Sequence, residues 1–136
     1  MPRVLVIDDE PIIRRVLVRE LRAGFDVVTA KDGEEALLLF AEQHPSAVVT
    51  DHRLGGELDG VAVLRAVRDF APMCVRVLIS GCASDATVRQ AVGDAVVHTF
   101  VPKPWERGQV RSVLEKALGV RPVPAVLDGH LVNDEG

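Results

Sequence analysis

Val4-Leu5-Val6-Ile7-Asp8-Asp9 is the stretch on which the fold turns: an unbroken apolar run that ends in two adjacent carboxylates. A strand with one wet face alternates apolar and polar residues. An unbroken run belongs instead to a strand covered on both faces, as in a parallel sheet between helices. The ending is as informative as the run. Two carboxylates about 4 Å apart repel by roughly 4 kcal/mol at an effective dielectric near 20, so this strand end predicts a cationic partner.

The same design recurs along the chain. Phe25 to Thr29 reads as a short second strand, and Ala47-Val48-Val49-Thr50 as a third that runs directly into Asp51. Val75 to Ile79 forms a fourth ending in Ser80-Gly81, and Val96 to Val101 a fifth ending in Pro102-Lys103-Pro104-Trp105. Helical periodicity fills the gaps. Pro11 suits a first helical position, because its missing N–H would have no partner there. Ile12, Ile13, Val16, Leu17 and Leu21 then share one face, with Arg14, Arg15, Arg19 and Arg22 mostly off it and Gly24 ending the segment. Those arginines read as a solvated face or as a docking patch for an acidic partner.

Gly33 to His44 presents Ala36, Leu37, Phe40 and Ala41 inward and stops at Pro45. After the glycine-rich loop Leu54-Gly55-Gly56-Glu57-Leu58-Asp59-Gly60, a helix places Val61, Leu64, Val67 and Phe70 at helical spacing up to Pro72. A weaker helix covers Asp85 to Val92. Glu106 to Leu118 turns Val110, Val113, Leu114 and Leu118 inward and ends at Gly119. Five strands alternating with five helices predict a doubly wound α/β domain with a parallel sheet, in which ligands bind beyond the carboxyl ends of the strands.

Composition narrows the function. With 136 residues, 48% hydrophobic and 26% charged, the chain predicts one domain with a single core, over residues 1–119. Residues 120–136, with their prolines and acidic end, read as a flexible tail. A net charge of −4 offers no basic field for nucleic acid and no polybasic segment for a membrane. No apolar run approaches the length that spans a bilayer, and no signal peptide is read, so a cytoplasmic protein is expected. Cys74 and Cys82 lack metal or redox spacing and read as small buried thiols. His44, His52, His98 and His130 are too scattered for metal ligands and read as surface or loop residues.

If the strands are as read, Asp8, Asp9, Asp51, Ser80 and Lys103 converge on one rim. Hard carboxylate oxygens suit Mg²⁺, which keeps positions open for water or phosphate oxygens. Once the acids are neutralised, one carboxylate is able to attack phosphorus, since phosphoryl transfer depends on positioning and charge neutralisation. Lys103 and the Ser80 hydroxyl are suited to hold phosphoryl oxygens.

Together Val6-Ile7-Asp8-Asp9-Glu10-Pro11, Thr50-Asp51-His52-Arg53-Leu54, Leu58-Asp59-Gly60, Ser80-Gly81 and Phe100-Val101-Pro102-Lys103-Pro104-Trp105 resemble the receiver domain of two-component response regulators, the CheY-like family. The resemblance covers about residues 2 to 119. It implies a flavodoxin-like (βα)5 fold with strand order 2-1-3-4-5. It makes Asp51 the phosphoacceptor, served by a histidine kinase or phosphotransfer protein. Asp9 becomes the direct Mg²⁺ ligand, Asp8 a ligand through water, and Arg53 the source of a backbone carbonyl to the metal. Ser80 becomes the switch hydroxyl, Lys103 the phosphate's lysine and Phe100 the aromatic that reports activation.

Two departures stand out. Gly55 replaces a proline common in the family, and the loop carries one residue more before Asp59-Gly60. Trp105 with Arg53 resembles receivers of multidomain regulators.

The resemblance implies a single-domain receiver, not a turnover enzyme, that signals to an unidentified downstream protein. Transcriptional control by the chain itself is not expected, as no helix-turn-helix follows Gly119. Three other readings stay open: a phosphorelay intermediate or sink, a phosphorylation-independent interaction domain, and a Mg²⁺-dependent phosphohydrolase. Phe100 and Trp105 also read as ordinary packing residues.

Overall fold

A computed structural model describes residues 1–82, 84–120, 125–127 and 130–132. Five strands, β1 (Arg3–Ile7), β2 (Asp26–Ala30), β3 (Ala47–Asp51), β4 (Val75–Ser80) and β5 (Thr99–Pro102), form one parallel sheet in the order β2-β1-β3-β4-β5. Five helices lie between and after them: α1 (Pro11–Leu21), α2 (Gly33–Gln43), α3 (Gly60–Phe70), α4 (Ala86–Gly93) and α5 (Gln109–Leu118). Both the doubly wound architecture and the strand order agree with the expectation.

The unbroken apolar runs have a direct explanation. Leu5 and Ile7 of β1 enter one buried cluster with Ala36, Leu64 and Val88, the α2, α3 and α4 side. Val4 and Val6 enter a second with Leu17, Leu21, Val110 and Leu114, the α1 and α5 side. β3 splits in the same way, Val48 to the first face and Ala47 and Val49 to the second. Each residue of the run is buried because each face has its own helices.

Local chemistry sets the helix starts. Pro11 opens α1 with no side-chain cap, whereas the carboxylates of Asp32, Asp59 and Asp85 cap α2, α3 and α4 by accepting from the N–H groups of Glu35, Ala62 and Thr87, each at 2.8 Å. α5 is capped by no side chain. It follows Gly108 at φ 83°, whose N–H donates to the Glu20 carboxylate of α1, so the two helices on that face are joined at this point.

Several finer expectations are corrected. Ile12 is 70% exposed and Val16 is also exposed, because α1 buries only the part of its apolar stripe that faces the sheet. Ala41 and Phe70 are exposed as well. Val96 and Val97 are buried before β5 rather than in it, their N–H groups turned back to the Ala91 carbonyl. Cys82 is exposed, while Cys74 is buried. His52 lies in the loop after β3, as a surface or loop histidine would, but is buried there.

The expected flexible tail falls largely outside the described residues. Within it, β6 (Ala125–Leu127) and β7 (His130–Val132) pair antiparallel with each other.

Candidate functional site

The sheet reverses its order between β1 and β3, and the acids gather at the carboxyl ends of those two strands, where such folds hold ligands. Asp8 and Asp9 follow β1 and Asp51 closes β3. One carboxylate oxygen from each lies within 4.8 Å of the others. Asp8 and Asp51 are buried, and Asp9 faces solvent.

Charge in this cluster is unevenly balanced. Burial pushes the Asp8 carboxyl up to about 6, against the pull of the Glu10 N–H that donates to its Oδ1 at 2.9 Å. The negative charges of Asp51 and Asp9 raise it further, and Lys103 opposes them. The Lys103 Nζ lies 2.9 Å from Asp51 Oδ1. Burial alone would lower this lysine, but its hydrogen bond to Asp51 and the charges of Asp51, Asp8 and Glu10 outweigh that and hold it above its ordinary value. One ammonium thus faces three carboxylates. A desolvated acid, two like-charged neighbours and hard oxygen donors make a cradle that fits a divalent cation.

Backbone bonds fix these side chains. The Lys103 N–H donates to the Ser80 carbonyl and the His52 N–H to the Ile79 carbonyl, each at 2.9 Å, which ties the ends of β3, β4 and β5 together. Ser80 is buried, and its Oγ accepts from the Cys82 N–H at 3.2 Å, so the hydroxyl serves its own loop. Phe100 is half-buried against the α2, α3 and α4 cluster. Arg53 does not join the acids with its side chain. Its guanidinium is exposed and sits 3.6 Å from the Asp85 carboxylate, which the Thr87 N–H holds below the usual carboxylate range.

Three residues to which the sequence assigned no role support the site, two of them from the quoted Leu58-Asp59-Gly60 motif. Gly60 packs so closely under β3 that a Cβ there would run into the Asp51 carbonyl oxygen. Its N–H donates to the His52 carbonyl at 2.8 Å, and the preceding Asp59 caps α3. The Asp-Gly pair was the available signal. Arg14, expected off the apolar face of α1 on a solvated or docking face, donates from Nη1 to the Asp8 carbonyl at 2.7 Å.

Known proteins place these features in context. The family model described as "Response regulator receiver domain" matches residues 4–115. The chain is 40% identical over 119 residues to "Probable transcriptional regulator ycf27" of Pyropia yezoensis, covering 85% of this chain and 48% of that protein. It is 36% identical over 115 residues to the hydrogenase transcriptional regulatory protein HoxA of Cupriavidus necator, covering 85% of this chain and 24% of that one. It therefore spans half or less of the length of these relatives.

Among solved structures, the response regulator TrrA of Thermotoga maritima, in complex with Mg(2+)-BeF, superposes with a TM-score of 0.75 at 28% identity, covering 86% of this chain and 99% of that one. The signal receiver domain of an HD domain-containing protein from Pseudomonas fluorescens gives a TM-score of 0.80 at 24% identity, covering 87% and 94%. The second likeness speaks to the fold alone.

Proposed function

Because the chain belongs to the response regulator receiver domain family, we propose that it is a phosphorylation-dependent switch whose phosphoacceptor is Asp51. The observation that carries this reading is the 2.9 Å contact of Lys103 Nζ with Asp51 Oδ1 inside a cluster of three carboxylates. A carboxylate oxygen of Asp51 attacks the phosphorus of a phosphohistidine on a kinase or phosphotransfer protein. The phosphorus–nitrogen bond breaks, the imidazole leaves with the bonding pair, and an acyl phosphate forms on Asp51.

Asp9 directly, Asp8 through water, Asp51 and the backbone carbonyl of Arg53 would hold Mg²⁺. Such an ion would supply charge neutralisation for phosphoryl oxygens and relieve the repulsion among the acids. Lys103 shifts its ammonium from the carboxylate to a phosphoryl oxygen. The Ser80 hydroxyl gives up the Cys82 N–H and turns to the phosphate, and Phe100 follows it inward, which shifts the population toward a second surface.

That surface contacts a downstream protein, and the chain works as a signalling module in the cytoplasm with its phosphodonor. Among the described residues no helix is long and apolar enough to cross a membrane.

Acetyl phosphate with Mg²⁺ tests the reading. The wild type should gain one phosphate by intact mass and Asp51→Asn none. Trp105 emission should respond to Mg²⁺ followed by beryllofluoride in the wild type only. Labelling of Asp51→Asn as fast as the wild type would overturn the assignment.

A further inference from the structure

Three bonds hold Asp8 in place. Its N–H donates to the Ala30 carbonyl at 3.2 Å, its Oδ1 accepts from the Glu10 N–H at 2.9 Å, and its own carbonyl accepts from Arg14 Nη1 at 2.7 Å. Asp9 is held differently. Its carboxylate is exposed and has no hydrogen-bond or ion-pair partner among the described residues, although it is one of the three that lie within 4.8 Å of one another. What places it is the backbone.

The Asp8 carbonyl and the Asp9 N–H belong to one planar peptide unit, so the Arg14 bond fixes the plane from which Asp9 departs. Few other contacts do so. β1 ends at Ile7, which leaves the Asp8 carbonyl past the last paired strand residue, and α1 starts at Pro11 with no side-chain cap. Arg14 is half-buried, and a charged donor makes a hydrogen bond roughly twice as strong as a neutral one. The two cations at this rim thus divide the work. Lys103 meets the Asp51 carboxylate directly, while Arg14 acts on the peptide behind the other two acids.

We propose that Arg14 is a positioning residue for the cation site: by holding the Asp8–Asp9 peptide it sets the Asp9 carboxylate where a divalent cation shared with Asp8 and Asp51 would need it. This rests on the Mg²⁺ reading given above. Groups that orient metal ligands typically account for about 10- to 100-fold in metal affinity.

Titration calorimetry of the full chain with Mg²⁺ alone tests this, on wild type, Arg14→Gln, Arg14→Lys and Arg15→Met. Arg14→Gln removes the charged donor and its reach, and should weaken Mg²⁺ binding by about 10- to 100-fold. Arg14→Lys keeps a charged donor on a long stem without the planar fork, and should lose only about three- to tenfold. Arg15, exposed and next along α1, is the control for loss of positive charge alone, and Arg15→Met should stay within about twofold of wild type. Metal-free urea unfolding checks that each variant is folded; should Arg14→Gln not be, Arg14→Lys against the wild type decides. Wild-type affinity in the folded Arg14 variants would overturn the role. So would equal losses in Arg14→Gln and Arg14→Lys, which would mean a general disturbance of α1, or a loss in Arg15→Met as large as in Arg14→Gln. A wild type that takes up no Mg²⁺ would overturn the Mg²⁺ reading together with this inference, whereas unchanged variants beside a binding wild type overturn this inference alone.

Discussion

Asp8 carries the clearest consequence at the scale of one residue. Its carboxyl titrates near 6 in the fold against an ordinary 3.8, so between those values the folded state holds more protons than the unfolded one. The stability this provides is fully present below about pH 4 and lost as pH rises through 6, amounting to about 3 kcal/mol at one pH unit per 1.36 kcal/mol. His98, lowered by burial and by Arg76, acts in the opposite sense below its ordinary value, so the effect is read against Asp8→Asn. Without metal at pH 7.5, urea unfolding should find Asp8→Asn more stable than the wild type, and the two should converge near pH 4. Adding Mg²⁺ should stabilise the wild type and leave the variant almost unmoved. Equal stabilities at pH 7.5 would mean that the acid is not held against its own charge. The carboxylate pair was legible in the sequence because it ends an apolar run. That Asp8 alone is buried was not, since its burial depends on how the chain turns through Glu10 into α1.

Among elements, β3 and α3 are locked together at Gly60. A side chain there collides with the Asp51 carbonyl, and overpacking of this kind typically costs about 1–3 kcal/mol. Gly60→Ala should therefore lower stability by that amount and slow acetyl phosphate labelling more than a remote substitution of equal stability. Gly93 supplies the control. A Cβ there meets nothing within 4 Å, so Gly93→Ala should be neutral or stabilise by up to about 1 kcal/mol and leave labelling unchanged. Strands were read well because burial on both faces leaves an unmistakable run. Helix faces were read less well: Ile12, Val16 and Phe70 keep the right spacing, but spacing does not say how far a neighbour extends. Val96 and Val97 misled for a related reason, being buried by a turn back onto Ala91 instead of by strand pairing.

Across the whole molecule the two ends of the sheet are held by different chemistry. The end away from Asp51 is fastened by Arg76, a buried guanidinium that donates to the carbonyls of Pro72, Cys74, Ala95 and Val96 at 2.9–3.2 Å. Arg76→Met should leave several of those acceptors unpaired and cost about 2–4 kcal/mol, measured by thermal or urea unfolding, with Asp51 labelling retained at a temperature where the variant is folded. An arginine inside an apolar strand was the visible signal of this fastening, but its four acceptors come from two loops that only the fold brings together. At the other end, β3 is buried at all five positions, and β1 and β4 pair with it on either side. Such a strand should have the slowest amide exchange in the chain. On the proposed reading Asp51 is then a fixed pivot: it would receive the signal without travelling, and whatever moves would move in the loops of the later strands, with β3 as the still point against which that displacement is measured.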